Sequence, residues 1–322
     1  MSGLRTYAYI VAACAALCGG AHAQSAYPAK PIRWIVPFVP GGSTTIIARL
    51  LGQKLTESWG QQVVVDNRGG GNTIIGSETM VRAAPDGYTV LQVTTTHVIN
   101  PSLLATPYDA VKDFAPIATL VATETLMVVN LSLPARNLQE FIALAKSKPG
   151  EINFGSSGSG TTNHLAAELL GIMAGIRMQH IPYKGAGPAV IDLMGGRIQM
   201  FMNNALPLIP FVKSGKIRPI AVSGETRLKS LPDVPTFTQA GLPGYEVRSW
   251  QALLAPARTP KPIIDKLSHE IGRILQMPDV RDTLVTMGAD PYVSNPQEVA
   301  ALIKRDLVRY SKLIKSANIK LE

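Results

Sequence analysis

Cysteine is almost absent from this chain, and its absence excludes several kinds of chemistry. The 322 residues contain two cysteines, Cys14 and Cys18, both in an apolar segment at the start of the chain. The rest of the chain therefore cannot form disulfides, thiolate metal sites or a cysteine nucleophile. Apolar side chains make up 46% of the sequence, so a hydrophobic core must stabilise the fold.

Metal-ligand and phosphate-binding motifs are missing as well. The histidines beyond residue 23 do not have the spacing of zinc ligands. The loop at residues 41–45, GGSTT, lacks the lysine of a Walker-type phosphate loop. We therefore predict neither a metal nor a cofactor.

The first 23 residues have the pattern of an export signal. Arg5 precedes the apolar run TYAYIVAACAALCGG, and the small residues of AHA end at Ala23. The run is shorter than the ~20 residues that a membrane-spanning helix needs. We expect a signal peptide over residues 1–23, cleaved after Ala23, and a mature protein in the periplasm. A lipoprotein anchored at Cys14 remains an alternative, because VAAC resembles a lipobox.

The charge balance is basic, with 31 Lys and Arg against 22 Asp and Glu. The basic residues are scattered, and no stripe of aromatic residues lies among them. This pattern argues against a nucleic-acid partner and is typical of a solvated basic surface. Its best functional interpretation is attraction of small anionic molecules.

Strand and helix patterns alternate along the chain. In its first third, strands are predicted at residues 31–39, 61–67 and 88–96, a helix at 43–58, and a Gly-rich loop followed by a helix at 69–84. Further along, strands are predicted at 127–130, 152–157, 178–183 and 198–203, and helices at 138–150, 160–175, 189–196, 263–276 and 298–317. This order predicts an α/β fold with a mostly parallel sheet covered by helices. The segment HVIN, residues 97–100, is predicted to be a loop.

Two loops, at residues 41–45 and 156–161, share one pattern. In each, glycines and hydroxyl residues follow a strand and precede an amphipathic helix. The free N–H groups and positive dipole of a helix start favour an anion. If the loops face each other across a cleft, they hold one anion from both sides, and their hydroxyls add uncharged donors suited to a carboxylate. Each loop alone is also typical of an ordinary helix N-cap.

No enzyme motif is evident. Residues 155–159, GSSGS, do not follow the Gly-x-Ser-x-Gly pattern of a nucleophile elbow. A Ser-His-Asp arrangement stays open, because such triads assemble in space. His97 and His164 are candidate donors at the cleft. His180, on a strand, is predicted to be structural, and His269 to lie on an exposed helix face.

Several long stretches resemble one family, the tripartite tricarboxylate transporter receptors, also called TctC or Bug solute-binding proteins. They include YPAKPIRWIVPFVPGGSTTIIARLL, VVVDNRGGGNTIIGSE, SKPGEINFGSSGSGTTNHLAAELL and HIPYKGAGPAVIDLMGGRIQMF. The resemblance covers essentially the whole chain after the predicted signal. It implies a two-domain periplasmic binding protein fold, type II-like, with mixed sheets flanked by helices and a ligand cleft between the domains.

The resemblance also implies a function without catalytic residues. Such a receptor captures a small organic acid, often through a pair of ordered waters, and delivers it to a two-subunit membrane permease. We expect a monomer with domain I at residues 24–124 plus 249–322 and domain II at 125–248. A ligand sensor for a membrane signalling protein, or a secreted hydrolase using the same cleft, are the alternatives.

The family pattern assigns a set of residues in this sequence to the ligand. They are Phe38, Gly42, Ser43, Thr44, Thr45, Thr96, His97, Ser156, Ser157, Gly158, Ser159, Gly160, Thr161, His164, Asn203 and Asn204.

Two of these residues depart from the family pattern. Thr45 stands where the family usually has an aspartate that can meet an amino group, and Asn203 stands where aspartate is common. Both changes remove negative charge near the cleft. We therefore expect a dicarboxylate, a tricarboxylate or an aromatic acid as the ligand and not an amino acid. Unchanged or tighter binding of a dianion by Thr45→Asp would contradict this hypothesis.

Overall fold

The structure, a computed structural model, describes residues 27–316. The predicted signal peptide and Cys14 lie outside this range. Strands are β1 (Ile32–Val36), β2 (Val63–Asn67), β3 (Thr89–Thr94), β4 (Phe114–Val129), β5 (Asn153–Ser156), β6 (Gln179–Pro182), β7 (Met200–Asn204), β8 (Arg218–Val222), β9 (Arg248–Pro256) and β10 (Ala289–Pro291). Helices are α1 (Ser43–Trp59), α2 (Ile74–Val81), α3 (Thr96–Leu103), α4 (Leu138–Ser147), α5 (Thr162–Ala174), α6 (Ala186–Met194), α7 (Ile209–Lys213), α8 (Lys261–Leu275), α9 (Pro278–Thr286) and α10 (Pro296–Ser316).

The predicted mixed α/β fold is confirmed. The strands form a curled sheet in the order β2-β1-β3-β9-β4-β7-β5-β6, with β8 and β10 both paired to β4. The pairs β1–β2, β1–β3, β5–β6 and β5–β7 are parallel, as the alternating strand and helix patterns predict. The pairs made by β4 and β9 are antiparallel, so the prediction of a mostly parallel sheet is wrong. Sequence analysis did not identify β9 or most of β4 as strands.

The long strand β4 joins the two halves of the sheet. It pairs with β9 as far as Glu124 and with β7 from Thr125 onwards. We call the half that contains β1, β2, β3, β9 and β10 sheet I, and the half that contains β5 to β8 sheet II. The domain boundary after residue 124 stays a prediction, which this change of strand partner supports.

Both faces of each half carry an apolar core, because successive side chains of a strand point to opposite faces. In β1, Trp34 packs in a cluster with Ile271 of α8, whereas its neighbour Ile35 packs with Ile303 of α10. In β4, Met127 and Val128 likewise belong to different clusters of sheet II. Helices on both faces therefore hold the strand ends, and the loops that follow them, in fixed positions.

The prediction of a loop at residues 97–100 is wrong, since these residues belong to helix α3. Pro101 lies inside this helix and removes one backbone hydrogen bond, which disfavours it locally. Val98 and Ile99 are fully buried in the cluster that contains Val299 of α10. Their burial outweighs the local cost. Among residues 27–316, no helix is long and apolar enough to cross a membrane.

We expect Ile271→Ala to lower the free energy of unfolding by about 2–5 kcal/mol, because it leaves a cavity in a closely packed core. Ile271 is fully buried in helix α8. His269→Ala in the same helix is the matched control, since His269 is exposed as predicted, and should change that energy by no more than about 0.5 kcal/mol. Urea unfolding of the two variants measures both values. Equal losses would contradict this account of the core.

Candidate functional site

A cavity of about 40 Å³ lies between the two halves of the sheet, and two walls enclose it. Wall I, which belongs to sheet I and its helices, consists of Phe38, Gly42, Ser43, Thr44, Thr94, Thr96 and Ser249. Wall II, which belongs to sheet II and its helices, consists of Ser157, Thr161, Thr162, Asn163, Ala186, Asn203 and Asn204. Among the described residues, no charged side chain and no histidine lines this cavity.

The N-termini of two helices meet at this cavity. Helix α1 begins at Ser43 of wall I, and helix α5 begins at Thr162 of wall II. The N-cap of α1 is Gly42, which has no side chain to accept a hydrogen bond from the N–H groups of the first turn. Both helix dipoles therefore contribute positive potential without a formal charge.

The loop at residues 156–161 is an ordinary helix N-cap, but the loop at residues 41–45 is not. Helix α5 has a side-chain cap, because the Thr161 hydroxyl accepts from the N–H of His164 at 3.4 Å. The same hydroxyl donates to the carbonyl of Gly158 at 2.7 Å. Thr161 thus serves as an ordinary cap, whereas α1 has no such cap. The two loops are alike in sequence but differ in how their first N–H groups are satisfied.

Hydrogen bonds to two hydroxyls of wall I, those of Ser43 and Thr94, leave the hydrogens of these hydroxyls available. Ser43 Oγ accepts from Asn204 Nδ2 and from Gln251 Nε2, both at 3.1 Å. Thr94 Oγ1 accepts from the N–H of Thr96 at 3.2 Å. A hydroxyl whose oxygen already accepts from neighbours still has its own hydrogen to donate.

In wall II, too, hydrogen bonds from a neighbour occupy acceptor atoms and leave donor hydrogens free. Asn163 Nδ2 donates to Ser157 Oγ at 2.9 Å and to Asn203 Oδ1 at 2.6 Å. Asn203 Nδ2 is buried without a partner, and so is the Thr162 hydroxyl. On the acceptor side, Asn204 Oδ1 is also buried and unpartnered. A buried polar group without a partner destabilises a protein by about 1–3 kcal/mol. Asn203 Nδ2 and the Thr162 hydroxyl therefore favour a ligand that accepts hydrogen bonds, whereas Asn204 Oδ1 favours a donor beside it.

The structure brings nine of the predicted residues to the cavity: Phe38, Gly42, Ser43, Thr44, Thr96, Ser157, Thr161, Asn203 and Asn204. It places seven elsewhere: Thr45, His97, Ser156, Gly158, Ser159, Gly160 and His164. Thr45 Oγ1 accepts from Asn67 Nδ2 at 2.8 Å, so its hydroxyl is turned towards β2. Thr45 therefore supports the loop from behind and does not line the cavity.

His97 is buried in the core and does not line the cavity. Its Nε2 donates to the carbonyl of Ala110 at 2.9 Å, and its ring packs edge-on against Phe114. Burial lowers the pKa of His97 to about 4. His97 is therefore a neutral part of the packing between α3 and the residues that precede β4.

Behind the loop at residues 156–161, two histidine rings are stacked with their centroids 4.0 Å apart, those of His164 and His180. His164 Nδ1 accepts from the N–H of Gly160 at 3.1 Å, so it holds the loop backbone. His180 Nε2 lies 2.7 Å from Ser156 Oγ. Burial and, to a lesser extent, His164 lower the pKa of His180 to about 3.

The Ser156–His180 pair has the distance of a serine nucleophile and its base. Ser156 is fully buried, however, and neither residue lines the cavity. Within residues 27–316, no group of three or more His, Cys, Asp and Glu side chains could hold a metal ion.

The segments beside walls I and II also touch through backbone at the edge of the cavity. The N–H of Val39 donates to the carbonyl of Lys184 at 3.4 Å. A Cβ on Gly187 would lie 3.0 Å from the carbonyl oxygen of Pro40. Glycine at position 187 therefore allows an approach that any larger residue would oppose.

The family model of the tripartite tricarboxylate transporter family receptor matches residues 47–319. The chain belongs to this receptor family. Among the relatives is the "UPF0065 protein in tcbD-tcbE intergenic region" of Pseudomonas sp. strain P51, 37% identical over 90% of this chain and 87% of the relative. Another is "Protein BugT" of Bordetella pertussis, 34% identical over 92% of each chain.

Solved structures of similar proteins share the two-domain fold of the receptor family. One, titled "Structure of a periplasmic transporter", has a TM-score of 0.89 and 39% identity, covering 92% of this chain and 100% of that one. A second, Rpa4515 of R. palustris with adipate, has a TM-score of 0.89 and 33% identity over 91% and 99%. A third, MatC of Rhodopseudomonas palustris with bound malate, has a TM-score of 0.85 and 29% identity over 89% and 100%.

Sequence analysis missed five residues that line the receptor's cavity: Thr94, Thr162, Asn163, Ala186 and Ser249. Thr162 and Asn163 follow the second loop directly, so extending that loop into the first helical turn would have found them. Ala186 lies between two glycines at the start of α6. Ser249 carried no signal, because β9 was not identified as a strand.

The receptor should lose stability in acid, partly through His97. Its pKa is about 6.5 unfolded and about 4 folded, so the unfolded chain binds a proton first as the pH falls. This group's contribution is present above pH 6.5 and declines towards pH 4, by about 2 kcal/mol at pH 5.

Urea unfolding at pH 7.5 and 5.0 should therefore show a smaller acid-induced loss for His97→Gln than for the wild type. His269→Gln, at an exposed position, is the control and should keep the wild-type pH dependence. An unchanged loss in His97→Gln would contradict the assignment of a buried neutral imidazole.

Proposed function

We propose that the receptor binds a small organic acid in the cavity between walls I and II, without chemical change, and delivers it to a two-subunit membrane permease. The observation that carries this proposal is that uncharged hydrogen-bond donors without a protein acceptor lie at the N-termini of helices α1 and α5. A carboxylate only accepts hydrogen bonds and is favoured by the positive end of a helix dipole. Export to the periplasm with cleavage after Ala23 belongs to the same proposal.

The relatives support the ligand class. Adipate and malate, named with two of the similar structures, are both dicarboxylates. The neutral walls suit such ligands, because the cavity has no carboxylate that would repel them and no ammonium or guanidinium that would hold them too tightly for release. We therefore propose a dicarboxylate, with tricarboxylates and aromatic acids as the other candidates.

Binding should require the walls to separate. A cavity of about 40 Å³ has room for roughly three water molecules, which is less than a dicarboxylate occupies. The bond between Asn204 and Ser43 and the contact of Val39 with Lys184 must therefore open for entry. We propose that the free protein opens by hinge motion between domain I, residues 24–124 plus 249–322, and domain II, residues 125–248, and that it closes again around the ligand.

The hydrolase alternative is disfavoured because the serine beside a histidine, Ser156, is buried outside the cavity. A ligand sensor would use the same cavity and differ in its protein partner. We propose a monomeric receptor, and recovery of the bound acid unaltered would distinguish it from a hydrolase.

Removal of the Ser43 hydroxyl should weaken dicarboxylate binding. A hydrogen bond to a charged group contributes about 1.5–3 kcal/mol, so the Kd of Ser43→Ala should rise roughly 10- to 100-fold. The protein is first unfolded and refolded to remove any acid that copurifies with it. Thermal shift then identifies the ligand in a panel of mono-, di- and tricarboxylates, aromatic acids and amino acids, and calorimetry gives the Kd.

Ser58→Ala is the matched control, because Ser58 is exposed at the opposite end of the same helix. It should bind like the wild type. An unchanged Kd in Ser43→Ala, or a panel in which amino acids bind and carboxylates do not, would contradict the proposed site.

Closure can be tested at the edge of the cavity. Gly187→Val should oppose the approach of α6 to Pro40, so the Kd for the ligand should rise about tenfold or more with little change in the melting temperature of the free protein. Gly195→Ala, at the far end of the same helix with no crowded neighbour, is the control. Small-angle scattering should show that ligand compacts the wild type more than Gly187→Val. If Gly187→Val binds the ligand as tightly as the wild type and is compacted as much by it, closure at this contact is contradicted.

A further inference from the structure

A chain of buried side chains runs from the core of sheet I to Ser43. The Trp34 indole Nε1–H donates to Gln92 Oε1 at 2.9 Å, and Gln92 Nε2 donates to Gln251 Oε1 at 2.5 Å. Gln251 Nε2 then donates to Ser43 Oγ at 3.1 Å. Trp34, Gln92 and Gln251 are fully buried, and none of the three lines the cavity.

The direction of this chain is fixed at its far end. An indole N–H can donate but cannot accept, so Gln92 must turn its carbonyl oxygen towards Trp34. The amide nitrogen of Gln92 then faces Gln251, whose oxygen must accept. Gln251 is left to present its own amide nitrogen to Ser43. Each amide in the chain has one orientation that satisfies its neighbours, and the opposite one would place two donors or two acceptors against each other.

The sheet explains why these side chains meet although they are far apart in sequence. Strands β3 and β9 are antiparallel, with Gln92 opposite Leu253 and Thr94 opposite Gln251. The two glutamines are therefore diagonal neighbours, whose side chains share one face of the sheet. Two buried amides are stable in a core only when they are hydrogen-bonded, and the indole and the serine satisfy the two ends of the pair.

We infer that Trp34, Gln92 and Gln251 are positioning residues that make Ser43 a hydrogen-bond donor towards the cavity. Because Ser43 Oγ accepts from Gln251, and from Asn204 across the cleft, its hydrogen points to the ligand. Wall I therefore selects a ligand atom that accepts, such as a carboxylate oxygen, and discriminates against ammonium or amide N–H groups at this point. The inference rests on the proposed function for its ligand and on the core hydrogen bonds for its direction.

A double-mutant cycle tests the inference, with adipate and malate as the probes. Trp34→Phe removes the donor that fixes the chain, so both glutamines can reverse and Ser43 can donate to Gln251 instead of to the ligand. We expect the Kd to rise about three- to tenfold in the wild-type background and less than about 1.5-fold in the Ser43→Ala background. An equal rise in both backgrounds would overturn the inference, because it would show that Trp34 acts on affinity independently of Ser43.

Tyr245→Phe is the matched control for loss of one buried donor. Its hydroxyl donates to the carbonyl of Ala166 in α5 at 2.7 Å and lies 3.5 Å from Met202 Sδ, and among residues 27–316 neither contact continues to wall I through hydrogen-bonded side chains. Tyr245→Phe and Trp34→Phe should both lower the melting temperature, but Tyr245→Phe should leave the Kd unchanged. A matching rise in Kd would mean that general loosening of the core, and not the chain, weakens binding.

A measurement without ligand separates this inference from the proposed function. Neutron diffraction from deuterated crystals of the wild type should place deuterium on Gln92 Nε2 towards Gln251, on Gln251 Nε2 towards Ser43, and on Ser43 Oγ towards the cavity. The reverse orientation of either amide would overturn the inference even if adipate binds. If neither adipate nor malate binds but this orientation is found, the proposed ligand fails and the directed chain stands.

Discussion

The convergence of two helix N-termini on one small, uncharged cavity is the constraint on which the rest of this structure depends. Helix α1 brings Ser43 from one half of the sheet, and helix α5 brings Thr162 from the other. Strand β4, shared by both halves, sets the distance between them. Because neither wall has a formal charge, the site must attract an anion through dipoles and oriented hydrogens, which favours binding that is selective but reversible.

Several polar side chains of the walls are arranged so that their neighbours occupy the acceptor atoms and leave hydrogens for the cavity, with Asn204 Oδ1 as an exception. Asn163 does this for Ser157 and Asn203, and Gln251 does it for Ser43. The specificity of such a site lies as much in the residues behind the walls as in the walls themselves. A receptor can therefore change its ligand class through residues that never touch the ligand.

The sequence predicts part of this arrangement for clear physical reasons. Glycine and hydroxyl residues between a strand and a helix mark an anion-binding loop, so Ser43, Thr44 and Ser157 were identifiable. Whether a loop residue faces the ligand or its own scaffold depends on contacts distant in sequence. His164 lies on the first turn of α5, yet its ring holds the Gly160 backbone and stacks on His180. Gln92 and Gln251 are 159 positions apart, and only the sheet brings them together.

Calorimetry on the refolded protein with three ligands of equal chain length, adipate, adipamide and 1,6-diaminohexane, tests the central claim most directly. Their end groups differ in charge and in hydrogen bonding. The carboxylates of adipate are negative and only accept, the amides of adipamide are neutral and both accept and donate, and the ammonium groups of the diamine are positive and only donate. A cavity of neutral donors predicts that adipate binds and that the diamide and the diamine bind at least about 100-fold more weakly. Binding of the diamine or the diamide as tightly as the diacid would contradict the account.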